Sequence, residues 1–193
     1  MHQLIFATNN SHKSEEVRSV VGEMFEVKSL KEAGIDIEIP EPHDTLEKNA
    51  AEKSSVIFNL TKMDCFSEDT GLEVAALNGE PGVRSARYTD DKMFGSNIEK
   101  LLFKLKTVTD RKAQFRTVIS LFFKGKEYKF EGVCKGTIIA KQRGEKGFGY
   151  DPVFVPEGSD KTFGEMDIKE KNIYSHRKKA VHKMIEFLKT AKE

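Results

Sequence analysis

An α/β domain with some parallel strand pairing is what the sequence predicts, on three observations. Short apolar runs alternate with helical periodicity early in the chain: Leu4–Ala7, then Val17, Val20 and Val21 at helical spacing, then Phe25–Val27, and later a helix ahead of Met63–Ser67. Phe115, Thr117, Ile119, Leu121 and Phe123 alternate up to Lys124-Gly125-Lys126, and Tyr128 and Phe130 begin a return strand, so a long hairpin reaching about Ile139 is expected. A last helix carries Val181, Met184, Ile185 and Leu188 on one face. The 193 residues suffice for one sizeable core, or for two lobes sharing a sheet, and a single domain over 1–193 is expected.

Composition excludes several partners. Thirty-two basic residues against 31 acidic ones leave no global field that would draw nucleic acid or an anionic membrane. No apolar run approaches the roughly 18 to 20 residues of a membrane helix. Met1–Ala7 reads as a first strand and not as a signal peptide, so a soluble, cytoplasmic protein is expected. Cys65 and Cys134 lack metal-ligand spacing and lie in strand-like apolar settings, where they act as small hydrophobes.

Taken in order, the first strand runs into Thr8-Asn9-Asn10-Ser11-His12-Lys13 and then into a helix. Small polar residues at a helix N-terminus offer hydroxyls, amides and backbone N–H groups to an anion, and Lys13 adds a full charge. The loop suits phosphate, although it lacks the glycines of a Walker loop and could be a plain N-cap. Ile35, Ile37 and Ile39 alternate with acids and predict a third strand ending at Pro40, with Glu41 directly after. Asp44-Thr45-Leu46-Glu47 resembles a capping box that starts a helix to about Leu60. Asn49 and Lys53 share a face of that helix, and solvent is their expected surrounding.

The next strand ends in Cys65-Phe66-Ser67-Glu68-Asp69-Thr70-Gly71, an apolar run closed by two carboxylates, a hydroxyl and a glycine. Strand side chains alternate between faces, so Glu68 and Asp69 share a site only if the strand stops and the backbone turns, which Gly71 permits. Adjacent carboxylates repel, and a divalent cation relieves the repulsion; a solvated acidic strand end is the alternative. Gly79–Gly82 signals a turn, and Arg84 and Arg87 beyond it suit phosphate or surface salt bridges equally. Asn97–Leu105 reads as a helix with core-facing Ile98, Leu101, Leu102 and Leu105.

Gly147-Phe148-Gly149-Tyr150-Asp151-Pro152 interleaves aromatics with glycines, which lets a flat ring approach the backbone. Asp151 could accept from a base, orient a cation or punctuate a turn. Ser175 is the expected cap of the final helix, which puts His176 and Arg177 in its first turn. Basic residues are unfavourable at that end unless an anion joins them, and a solvated charge run is the alternative.

Assembled in this order and spacing, Phe6-Ala7-Thr8-Asn9-Asn10 with Lys13, Thr45-Leu46-Glu47 with Asn49, Ser67–Leu72, Gly82 with Ser85–Tyr88, Gly147–Pro152 and Ser175-His176-Arg177 make the chain resemble the inosine triphosphate pyrophosphatase family over nearly its whole length. That family hydrolyses non-standard purine nucleoside triphosphates. The resemblance implies a long, bent mixed sheet with flanking helices, two lobes and a central cleft, and assembly as a homodimer. It further implies that Thr8, Asn9, Asn10, Ser11, His12 and Lys13 hold the triphosphate with Lys53, that Glu41 and Asp69 hold Mg²⁺, and that Asp69 activates the attacking water. Thr70, Phe148, Gly149, Tyr150, Asp151, Lys171, His176 and Arg177 would contact the nucleotide. The family's first loop usually has glycine where this chain has Asn9, which tolerates positive φ better than most residues. The expected function is therefore hydrolysis of dITP, ITP and XTP to monophosphate and pyrophosphate. A pyrophosphatase for modified pyrimidine or standard nucleotides, or a nucleotide- or RNA-binding module without turnover, are the alternatives.

Overall fold

The computed structural model describes residues 2–89 and 93–191. Its elements are β1 (His2–Phe6), α1 (Ser11–Val21), β2 (Phe25–Ser29), α2 (Leu46–Thr61), β3 (Cys65–Val74), β4 (Pro81–Gly82), α3 (Asn97–Lys104), β5 (Lys112–Phe123), β6 (Lys126–Ile138), β7 (Phe154–Pro156), α4 (Ile168–Tyr174) and α5 (His176–Thr190). The strands pair in the order β2-β1-β3-β5-β6-β7, with β4 joined to β3. β1 is parallel to both β2 and β3, whereas β4 on β3 and β7 on β6 are antiparallel, so the sheet is mixed. The helix-bearing connections after β1 and β2 are what parallel pairing requires. No helix among the described residues is long and apolar enough to cross a membrane.

Two compact units divide the chain: one formed by Met1–Asp69, Thr117–Gly132 and Arg177–Glu193, the other by Thr70–Arg116 and Val133–His176. In the first unit both faces of β1 are covered, as a parallel strand demands. Leu4 and Phe6 join Phe66, Ile119, Leu121 and the α5 stripe of Val181, Met184, Ile185 and Leu188. Ile5 and Ala7 join Leu30, Ile57 and Cys65 on the other side. The Phe6 and Phe66 rings stack at 4.5 Å. In the second unit Leu72, Val74, Leu101, Leu105, Phe115, Phe154 and Phe163 form one core. Cys65 and Cys134 are buried and not joined in a disulfide, and burial pushes the Cys65 thiol up to about 12.

Several expected elements form as the periodicities predict. The β5–β6 hairpin turns through Lys124 (φ 49°) and Gly125 (φ 77°), the pair of left-handed residues that matches strand twist. Others differ. Ile35, Ile37 and Ile39 lie in an extended segment that joins no sheet among the described residues, yet all three pack against the Ile5–Cys65 cluster. Alternation reported burial there and not a ladder. The cap of α2 is Thr45, whose hydroxyl accepts from the Lys48 N–H at 3.3 Å, one residue later than the Asp44 expectation.

The largest difference is in β3, which continues through Gly71 to Val74. Gly71 does not make a turn. A Cβ there would stand 2.7 Å from the Gly82 carbonyl oxygen, so glycine is needed for the close approach of β4. Gly71→Ala should therefore lower stability by about 1–3 kcal/mol, the usual cost of forcing extra volume into packed structure. Urea unfolding should show a reduced midpoint at unchanged slope, and an unaltered midpoint would contradict this reading of the β3–β4 contact.

Candidate active site

Because β3 runs straight through Glu68 and Asp69, the two carboxylates leave it on opposite sides; Arg177 serves Glu68, Lys53 lies nearest Asp69, and the charge of Lys13 acts on both. Asp69 is 5% exposed. Asn49 Nδ2 donates to Asp69 Oδ2 at 3.2 Å. The amide is oriented for this, since Asn49 Oδ1 accepts from the His43 N–H at 3.0 Å while Nδ2 also donates to the His43 carbonyl at 3.2 Å. Lys53, one helical turn along α2, lies with Nζ 3.7 Å from Asp69 Oδ1 and donates to Glu41 Oε1 and, at 2.8 Å, to the Glu68 carbonyl. Asn49 and Lys53 are thus buried, contrary to the solvent expected for them, and the carboxylate they serve explains why.

Burial, with the Glu41 charge in support, raises the Asp69 carboxyl above the ordinary aspartate range even though Lys53 pulls the other way. Glu41 and Asp69 are hard oxygen donors under mutual repulsion, and so fit a divalent cation. Among the described residues no three His, Cys, Asp or Glu side chains gather as a metal cluster.

Glu68 is in the opposite condition. Arg177 Nε and Nη2 donate to its two oxygens at 2.7 and 2.9 Å, a bidentate fork. Lys13 Nζ lies 3.1 Å from Glu68 Oε1, and Arg177 Nη1 donates to Glu16 on α1. Burial alone would raise Glu68, but Arg177 and then Lys13 overcome it and hold the carboxyl far below the usual range. Arg177, 1% exposed, is correspondingly held fully charged by Glu68 and Glu16 against its own desolvation. Glu68 is therefore committed to organic cations. Glu16 escaped sequence reasoning because nothing local distinguishes it from the other acids of α1; its partner is 161 residues away.

Lys13 ends a polar loop whose own bonds fix its shape. Asn10 Oδ1 caps α1 by accepting from the Lys13 N–H at 3.2 Å, and the Asn10 N–H donates to Thr8 Oγ1 at 3.1 Å. Asn9 does not lie in the left-handed region, so the loop is built without the positive φ that a glycine would supply. Asn9, Asn10, Ser11 and His12 are exposed, while Thr8 and Lys13 are half-buried.

In the second unit the aromatic loop is held from within. Gly147 has φ 72°, and a Cβ on it would fall 2.0 Å from Asp151 Oδ2. That oxygen accepts from the Phe148 N–H at 2.9 Å and from Lys171 Nζ at 2.6 Å. The Lys171 ammonium also sits 5.3 Å from the Phe148 ring centroid and 5.1 Å from that of Phe163. Asp151 closes a turn and carries a buried ion pair, which joins two of the roles open to it from sequence. Tyr150 donates to the Ser85 carbonyl at 3.0 Å, and His176 stacks on Phe115 at 4.7 Å and 16°. Ser175 closes α4, and α5 starts at His176. Thr70 is half-buried beside Asp69 in sequence, and Arg84 is exposed.

Removing one partner of a buried charge pair leaves the other uncompensated. Arg177→Ala should cost about 3–5 kcal/mol in chemical unfolding. Adding Glu68→Gln to it should recover part of the loss, and strict additivity of the two changes would refute the coupling.

A model of the Ham1 family matches residues 4–187. A dITP/XTP pyrophosphatase of Flavobacterium johnsoniae is 46% identical over 191 residues, 98% of this chain and 100% of that one. Another from Porphyromonas gingivalis is 46% identical over 194 residues and the full length of both. Among solved structures, the Staphylococcus aureus Ham1 protein superposes with a TM-score of 0.86 at 37% identity, covering 98% of this chain and 99% of the other. A HAM1 protein from Coxiella burnetii gives 0.87 at 31% identity, covering 98% and 100%.

Proposed function

The chain belongs to the Ham1 family, and we propose that it hydrolyses dITP, ITP and XTP to the nucleoside monophosphate and pyrophosphate. One observation carries the mechanism: Asp69 is a buried carboxylate with the Lys53 ammonium 3.7 Å away, and that ammonium also holds Glu41, so two acids and a cation meet where a metal ion and a proton acceptor are needed. A divalent cation, which we take to be Mg²⁺ held by Glu41 and Asp69, would supply neutralising charge and lower the pKa of the attacking water.

The rest is the work of side chains. A triphosphate carries several negative charges that repel an incoming hydroxide and the acids alike, so cations must be in place beforehand. Lys13, fixed by Glu68, and the Thr8–His12 loop hold the outer phosphates, and Lys53 adds a second ammonium. Asp69 accepts the proton of the water that attacks the α-phosphorus, and charge develops on the departing pyrophosphate against the lysines. The family resemblance further assigns Thr70, Phe148, Gly149, Tyr150, Asp151, Lys171 and His176 to the nucleotide, whereas Arg177 serves by holding Glu68 and Glu16. Phe148 offers a ring for the base to stack on. Arg177 already donates to Glu68 and Glu16, so the donor aimed at the 6-keto oxygen is assigned to His176. Adenine presents its own amino donor there, and the resulting mismatch costs about 1–3 kcal/mol. The enzyme acts in the cytoplasm as a homodimer without nucleic acid as partner.

Released pyrophosphate, followed across ITP, XTP, GTP and ATP with a coupled inorganic pyrophosphatase, should be greatest for ITP and XTP. Equal rates on ATP would favour a standard-nucleotide enzyme, and no turnover would favour a binding module. Asp69→Asn should lower kcat by about 10²–10⁴-fold while leaving most nucleotide affinity, the range expected for removal of a general base. The pH profile has a sign. In the metal-free protein burial raises the Asp69 carboxyl, and a cation on Glu41 and Asp69 would draw it down again, so activity should fall at acid pH with a limb that moves to lower pH as metal concentration rises. An acid limb that metal concentration does not move would contradict the role.

A further inference from the structure

Lys53 occupies the place where the metal carboxylates and the charge they require are already joined. Its ammonium donates to Glu41 Oε1 and to the Glu68 carbonyl, lies 3.7 Å from Asp69 Oδ1, and belongs to a residue only 7% exposed. A divalent cation shared by Glu41 and Asp69 would have to draw on the same two carboxylates. If the lysine stayed, the cation and the ammonium would crowd together over two carboxylates in a poorly solvated site, and their repulsion would offset much of the attraction to the acids. A polyphosphate removes the conflict. Its oxygens can accept the lysine and also supply metal ligands that the protein lacks, since no third acidic or histidine ligand joins the pair among the described residues. The four-carbon lysine stem allows the move without a change of backbone.

We propose that Lys53 is a placeholder for the metal. It bridges Glu41 and Asp69 in the nucleotide-free protein, prevents them from taking up a divalent cation by themselves, and transfers to the phosphates when metal and nucleotide enter together. This rests on reading the site as a triphosphate pyrophosphatase. Metal and triphosphate then bind cooperatively, and by linkage each raises the affinity for the other by the same factor. Lys53 is the element that carries the coupling, a role it fills before it reaches the phosphates.

The test uses the full chain, with Mn²⁺ as the metal probe followed by electron paramagnetic resonance and α,β-methylene ITP as a non-hydrolysable nucleotide. In the wild type, the analogue should tighten Mn²⁺ binding about tenfold or more. Lys53→Met should tighten Mn²⁺ binding about tenfold in the absence of nucleotide and shrink the further gain from the analogue. Lys53→Gln, which keeps a hydrogen-bond donor but no charge, should behave alike and covers the case in which the methionine variant does not fold. Unchanged or weaker nucleotide-free Mn²⁺ binding in the variants, with the analogue effect intact in the wild type, overturns the placeholder while sparing the site reading. Absence of analogue binding to the wild type by calorimetry, with no effect on Mn²⁺, overturns the site reading itself.

Discussion

Two consecutive acids on a buried strand are an electrostatic problem that the fold has to solve twice, once on each side of β3. Glu68 receives a complete answer: a bidentate guanidinium, an ammonium, and a second carboxylate that balances the extra positive charge. Asp69 has a neutral amide, a lysine shared with Glu41 and the charge of Lys13, and burial still keeps its carboxyl above its ordinary range. The difference divides the labour. A fully compensated carboxylate can only position others, whereas an under-compensated one can take a proton or hold a metal.

Much else follows from keeping those two environments apart. α1 must begin at Ser11 so that Lys13 and Glu16 both reach the Glu68 side, and the Asn10 cap sets that start. α2 must present Asn49 and Lys53 from one face, four residues apart, to meet Asp69. α5 must open with Arg177 in its first turn, a position that the helix dipole disfavours and that Glu68 and Glu16 make tolerable. In the second unit the same logic recurs on a smaller scale, where Lys171 and Asp151 neutralise each other and fix the loop that carries Phe148.

Elements whose pattern is local were legible from the residues. The hairpin declared itself by alternation and a Lys-Gly turn, and α5 by its stripe of Val181, Met184, Ile185 and Leu188. β3 was legible only in part, because Gly71 signals a turn and a close backbone approach in the same way, and the partner that decides, Gly82, belongs to another strand. Ile35–Ile39 shows the converse: alternation without a neighbour to pair with. Of the site, Asp69, Lys13 and the Phe148 loop could be singled out by composition and placed by resemblance. The burial of Asn49 and Lys53 and the commitment of Arg177 to Glu16 depend on contacts far apart in sequence, which no local pattern encodes.

The proposed reaction requires water to reach the α-phosphorus beside Asp69 while the lysines hold the leaving pyrophosphate. Hydrolysis of ITP in ¹⁸O-labelled water, with products separated and weighed by mass spectrometry, tests this directly. The label should appear in IMP and be absent from pyrophosphate. IDP together with labelled orthophosphate would place the attack at the γ-phosphorus and contradict the arrangement of acids and lysines argued for this site.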